Sequence, residues 1–138
     1  MAAQGNLVLA NGEASPVNKT FSSRGKTSDQ SGQAVFKWQD ITSGIAIGFP
    51  TITFAMRESA SKYDVDKRIM TPVLETISGD AGGYTPAPKI AYTLMSREQF
   101  VLPVRSTTAQ RKDLLAFSKN LNDDAVIESA VWNLESVW

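Results

Sequence analysis

The side chains able to do chemistry in this 138-residue chain are defined first by two absences: it has no histidine and no cysteine. That excludes the common zinc sites, the Ser-His-Asp triad and the Cys-His pair, and with them any disulfide framework. What remains is carboxylates, lysines, tyrosines and hydroxyls, or a metal held by oxygen ligands. Glu58, Glu75 and Glu98 are candidates for acid–base work, but no spacing singles them out as a pair. The glycine-rich stretch SGDAGGYTPAP, 78–88, has no Gly-Lys-Ser/Thr ending and no helix pattern after it, so it is not a phosphate-binding loop. Asn18-Lys19-Thr20 spells a glycosylation acceptor, a chance match without a secretory signal. No metal and no cofactor is expected.

Charge points to a different use. The 14 basic and 14 acidic residues cancel, so the chain as a whole is not a magnet for polyanions. Residues 106–138 hold Arg111, Lys112 and Lys119 against Asp113, Asp123, Asp124, Glu128 and Glu135, a net −2, which leaves +2 on residues 1–105. A surface that meets a polyanion therefore belongs to the first part. MAAQGNLVLANGE has neither a basic leader nor a long apolar stretch, and no 18-residue apolar run occurs. These features lead us to expect no signal peptide, no membrane span and an intracellular, soluble protein. With 42% apolar residues the chain reads as one globular domain.

The elements that must position these side chains change character along the sequence. LVLA, 7–10, reads as a strand closed by Asn11-Gly12, with PVNKTF, 16–21, as its hairpin partner and SSRGKTSDQSGQ, 22–33, as a polar loop. AVFKWQD, 34–40, reads as a strand. In 45–60 the alternation is clearest: Ile52, Phe54 and Met56 face one way, and Thr51, Thr53, Ala55, Arg57 and Ser59 the other. A turn at SKYDVD, 61–66, leads to a strand over 67–77, with Lys67, Ile69, Thr71 and Val73 on one face and Arg68, Met70, Pro72 and Leu74 on the other. Pro72 predicts an irregularity there. After the loop at 78–88, residues 89–103 predict a last strand ending at Pro103, whose odd-numbered face carries Thr93, Met95, Arg97 and Gln99.

Then the period changes from 2 to 3.6. Thr107 and Gln110 fit a capping box, and Leu114, Leu115, Phe117 and Leu121 form a stripe. Asn122-Asp123-Asp124 separates a second helix whose face is Ile127, Ala130, Val131, Leu134 and Trp138. Trp38, Trp132 and Trp138 are read as packing residues rather than base-stacking platforms. Burying a Leu, Ile or Phe is worth roughly 1.5–3 kcal/mol, so two such stripes amount to on the order of 10–20 kcal/mol. They must cover a sheet face, and Ile52, Phe54, Met56, Met70 and Leu74 are the expected recipients. Helices on one face of an antiparallel sheet make an α+β fold. Periodicity leaves open whether the sheet covered is the chain's own or a partner's.

The run FVLPVRSTTAQRKDLLAFSKNL, together with PVNKTF, AVFKW and the Gly/Pro-rich turn in that order, resembles the coat proteins of the single-stranded RNA bacteriophages over almost the full length. The resemblance implies an N-terminal β-hairpin and loop (1–33), a five-stranded antiparallel sheet (34–103) and two C-terminal helices (106–138) that pack on the sheet of a dimer partner. It implies an obligate homodimer that assembles into an icosahedral shell in the host cytoplasm, with genomic RNA on the inner sheet face of the virion. On that reading Leu114, Leu115, Phe117, Leu121, Ile127, Val131 and Leu134 form the dimer interface. Gly79, Gly82, Gly83 and Pro86 belong to a loop that adopts different conformations around the shell's symmetry axes, which glycine permits.

The same resemblance gives the Thr53 face a role. The family's RNA-binding strand carries a Thr and, four residues later, an Arg, which Thr53 and Arg57 match, with Ser59 beyond them. Lys67, Thr71 and Arg97 from neighbouring strands complete the expected RNA-binding set, whose charges suit phosphates and whose hydroxyls suit sugars and base edges. Some members read a translational-repressor hairpin with an Asn-plus-Tyr arrangement on the last strand. This strand lacks it and has Met95 and Arg97 nearby instead, so the resemblance implies RNA packaging more directly than a translational-repressor role. Two other readings are a small RNA-binding dimer that does not assemble and a carboxylate-dependent hydrolase.

Overall fold

The computed structural model describes residues 3–76, 78–79 and 81–136. Its strands are β1 (Leu7–Ala10), β2 (Asn18–Ser28), β3 (Ala34–Gln39), β4 (Thr51–Glu58), β5 (Lys62–Leu74) and β6 (Ile90–Pro103), followed by helices α1 (Thr108–Asn122) and α2 (Ala125–Asn133). The strands form one six-stranded sheet in sequence order, β1 and β6 being its edges. The four inter-strand registers from β1 to β5 are all antiparallel.

That is one strand more than the five expected, because β2 serves both the hairpin and the sheet. Residues 22–28, read from their polarity as loop, continue the strand and pair with β3. Ser23 pairs with Trp38 and Lys26 with Phe36, so three steps on β2 match two on β3. Gly25, at φ +81°, lies in this bulge, where only glycine has easy access to the left-handed region. Polar composition misled here because an exposed stretch can still satisfy its backbone in a ladder. The N-terminal segment is tied down as well: Gln4 Nε2 donates to the carbonyls of Gly25 and Lys37, and Trp38 Nε1 to that of Gly5 at 2.7 Å.

β5 also starts earlier than expected, at Lys62 rather than 67, because YDVD pairs with β4 instead of turning. It runs through Pro72 unbroken. Pro72 lies past Met70, the last residue paired with β4, so its missing N–H takes no bond from that ladder.

The chain divides into two compact units, Met1–Ser59 with Tyr63–Val101, and Ala60–Lys62 with Leu102–Trp138. In the first, Phe21 and Ile52 are the buried apolar residues among those described, and the rings of Phe36 and Phe54 pack at 6.4 Å between centroids. In the second, Val104 N donates to Ser61 O and the capping box forms as expected: Gln110 N donates to Thr107 Oγ1, and Thr107 N to Gln110 Oε1. Arg111 bonds Ser106 Oγ and Thr108 Oγ1, tying α1 to the turn before it. Asp124 caps α2 by accepting from Val126 N. α2 stops at Asn133, earlier than the stripe predicted. Leu134 takes a left-handed conformation at φ 57°, which ends the helix, and Trp138 lies outside the described residues.

Candidate nucleic-acid interface

Residues paired directly across an antiparallel ladder share a face. Thr53 pairs with Lys37 on β3 and with Arg68 on β5; Arg57 pairs with Asp64, and Ala55 with Val35 and Asp66. The Thr53 face therefore carries Lys37, Arg57 and Arg68 among the carboxylates Asp64 and Asp66. Phe54 pairs with Lys67, and Ile52 with Ile69, on the opposite face.

This corrects three expectations. Lys67 and Thr71 do not continue the Thr53 face; Arg68 does. Met70 and Leu74 do not join Ile52 and Phe54; Ile69 and Val65 take that place, since Val65 pairs with Met56. Four residues separate the paired Glu58 and Tyr63, an even number, so odd positions of β4 meet even positions of β5. Ser59 lies past the end of β4, in the turn rather than on the strand face.

Lys67 is engaged elsewhere. Its Nζ lies 2.7 Å from a carboxylate oxygen of Glu98 and 5.0 Å from the centre of the Phe100 ring. Glu98 and Phe100 thus share the Lys67 side, and alternation along β6 puts Arg97 and Gln99 on the other. A cavity of about 560 Å³ agrees with that placement: Gln33, Thr53, Arg57, Arg68, Arg97 and Gln99 all line it. Asp66, Lys67 and Glu98 border it too, the last two as the ion pair just described. Of the expected RNA-binding set, Thr53, Arg57 and Arg97 line this hollow on the Thr53 face, Lys67 borders it with its ammonium held on the opposite side by Glu98, and neither Ser59 nor Thr71 lines it. Arg68 and Gln33 are the residues that sequence reading missed. Turn length was the signal for Arg68; nothing in the sequence links Gln33 to Arg57, 24 positions away.

The turn between β2 and β3 supports the hollow's rim. Asp29 Oδ1 accepts from Ser31 N, Ser31 Oγ and Gln33 N, and Gln33 Oε1 accepts from Arg57 Nε at 3.0 Å. The Ser31 hydroxyl and then the Gln33 N–H hold the Asp29 carboxyl below its ordinary range. Asp40, in the loop after β3, is lowered in the same way by the hydroxyl and N–H of Thr42.

Two of the carboxylates considered for catalysis have other occupations. Glu58 accepts from the Tyr63 hydroxyl at 2.8 Å, which raises the tyrosine's pKa, and Glu98 pairs with Lys67. Glu75 lies at the base of the 75–89 loop, where its backbone N–H donates to Lys89 O. Among the described residues no group of three or more acidic side chains is placed to hold a metal.

Two further surfaces stand out. Neither helix has a buried residue. Leu114, Leu115, Leu121 and Val131 are exposed, Phe117 is 70% exposed, Trp132 72% and Leu134 90%, while Ile127 is half-buried. Edge strand β6 exposes Ile90, Tyr92, Leu94 and Met95. In the 75–89 loop Gly83 has φ +82°.

Comparison with known proteins gives three findings. A family model described as levivirus coat protein matches residues 2–138. No curated protein matches the chain. Among solved structures, the virus-like particle of bacteriophage NT-214 superposes with a TM-score of 0.87 at 28% identity, covering 99% of this chain and 100% of that one. The virus-like particle of bacteriophage ESE058 does so with the same score and coverage at 23% identity, and the bacteriophage GA protein capsid at 0.62 and 19%, covering 96% and 95%. The last two establish similarity of fold.

Proposed function

This chain belongs to the levivirus coat protein family, and on that premise we propose that it acts as an obligate homodimer, closing into an icosahedral shell with single-stranded genomic RNA against the Thr53 face. It is a structural capsid protein of the virion rather than an enzyme. The dimer, the RNA and the positions that meet them are the proposal.

One observation carries the dimer: α1 and α2 are well capped, yet neither buries a residue. Capping secures the ends of a helix, but a helix of nine or fifteen residues draws most of its stability from an apolar face packed against something. Phe117, Leu121, Val131 and Leu134 supply such a face, and a second copy's sheet is the surface it fits. The long β6 edge supports the same reading, since an edge strand with one open side, carrying Tyr92, Leu94 and Met95, is suited to pairing with its equivalent. Interfaces of obligate dimers are large and apolar, as these surfaces together would make. That similar structures were solved as virus-like particles supports closure into a shell.

The RNA reading rests on the hollow shared by Thr53, Arg57, Arg68 and Arg97, where cations and hydrogen-bonding groups converge. Met95 and Arg97 of β6 stand where a repressor-hairpin reader would need an Asn-plus-Tyr arrangement, so RNA packaging on this face is proposed rather than the reading of one hairpin. Electron microscopy and nuclease protection of the expressed protein test the whole. Shells containing RNase-protected RNA are the expected result; a dimer that never assembles, or empty shells alone, would refute it.

A further inference from the structure

The turn between β2 and β3 does more than join two strands. Asp29 is its hub: besides its three side-chain bonds, its N–H donates to Gln33 O at 2.9 Å and its carbonyl accepts from Gly32 N at 3.0 Å. Gly32 adopts φ +80°, a conformation that suits glycine in so tight a turn. The backbone of Gln33 is thereby fixed on both its N–H and its carbonyl. Its side chain then reaches β4, where Oε1 accepts from Arg57 Nε. Gln33 Nε2 is buried and has no hydrogen-bond partner among the described residues, so the bond to Arg57 is what sets the direction of the amide.

A guanidinium is planar, so a bond at Nε also constrains the plane in which Nη1 and Nη2 lie. With Nε occupied, the Nη edge is left as a two-pronged donor, the geometry that matches a phosphate. The acceptor is a neutral amide, so the bond that orients Arg57 does not itself neutralise the guanidinium, whose charge also acts on the nearby Asp29 carboxyl. An exposed arginine ordinarily gives up much rotamer freedom on binding, and one already held gives up less.

We propose that Gln33, braced by Asp29, is a positioning residue that presets Arg57 to take an RNA phosphate on the Thr53 face. The proposal rests on the RNA reading of that face. Its distinguishing mark is an effect on affinity that travels through Arg57 and leaves the number of neutralised phosphates unchanged.

The test uses the full-length chain at concentrations below those that support shell assembly, with a fluorescein-labelled single-stranded RNA oligonucleotide as probe, titrated over a series of salt concentrations. Arg57→Ala should weaken binding and reduce the slope of log K against log salt by about 0.7, the value for one phosphate contact on a single strand. Gln33→Ala should weaken binding about fivefold, on the scale of one net hydrogen bond, with the slope unchanged. In the Arg57→Ala background it should have no further effect. Gln33→Met, which keeps the side-chain volume but loses the acceptor, should behave as Gln33→Ala does.

If Gln33→Ala and Gln33→Met leave affinity intact, or their losses simply add to that of Arg57→Ala, the positioning role is refuted while the RNA face stands. If Arg57→Ala changes neither affinity nor slope, the RNA reading at Arg57 fails, and the positioning role with it.

Discussion

Arg68 lies directly opposite Thr53 in the antiparallel β4–β5 ladder. Lys67, its neighbour in sequence, points to the other face and is held between Glu98 and the ring of Phe100. Arg68→Ala should therefore lower RNA content and reduce the salt slope by about 0.7. Lys67→Ala should leave RNA content near wild type and instead cost about 0.5–1 kcal/mol of stability, the scale of a partly exposed ion pair with a cation–π contact. Absorbance ratios of purified particles and urea denaturation separate the two effects. RNA loss with Lys67→Ala alone would return the site to the odd-numbered face of β5.

Asp66 borders the cationic hollow and stands opposite Ala55. A carboxylate there repels an incoming phosphate, so Asp66→Asn should tighten single-stranded RNA binding by about 0.5 kcal/mol at low salt, with the gain fading as salt rises. Fluorescence titration at two salt concentrations checks both the sign and the fading.

Asp29 and Asp40 both have depressed pKa values, and in each case the main cause is a hydroxyl that bonds the charged form, from Ser31 and Thr42 respectively. A carboxylate lowered in the folded state contributes stability that is complete above its unfolded value, 3.8 for both groups, and is lost as pH falls through the lowered value. Denaturation midpoints should hold steady from about pH 7 to 5 and drop below about pH 3.8. The drop should be smaller in Asp29→Asn and Asp40→Asn, which have no such charge to lose. Chemical denaturation across this range is the measurement.

Phe117 is 70% exposed and Thr107 caps α1, so the two separate association from helix formation. Phe117→Ser should abolish dimers and shells, on the scale of 2–3 kcal/mol per subunit for a buried aromatic, while α1 remains helical. Thr107→Ala should cost about 1 kcal/mol of helix stability without removing the contact surface. Analytical ultracentrifugation and circular dichroism read the two. Intact shells from Phe117→Ser would remove the helices from the dimer interface.

Gly83 has φ +82° and a substituent there would meet no atom within 4 Å, so a substitution costs backbone strain rather than a clash. Gly83→Ala should destabilise this loop conformation by roughly 1–2 kcal/mol. If the 75–89 loop takes different conformations at different symmetry axes, the yield of complete shells should fall while dimers persist. Electron microscopy of the variant shows whether it does.

Much of this protein was legible in its order of residues. β1, β3, the β6 limit at Pro103, the Thr107–Gln110 capping box and α1 fell where alternation, proline and capping residues placed them. β2 did not, because a bulge at Gly25 let a polar stretch keep pairing with β3. Thr53, Arg57 and Arg97 were recognisable as one set of hydroxyl and cationic side chains, and they line one hollow, but their partner on β5 was misread by one position.

Composition and local pattern by themselves determined the exclusion of histidine and cysteine chemistry, the change from strand to helix after Pro103 and the two amphipathic stripes. These depend only on residue type and near-neighbour spacing. The tertiary structure alone decided that Arg68 faces Thr53, that Lys67 is neutralised by Glu98, and that Gln33 reaches Arg57. Strand register follows from the length of a turn and the pairing it closes, and one residue of shift carries every side chain to the opposite face.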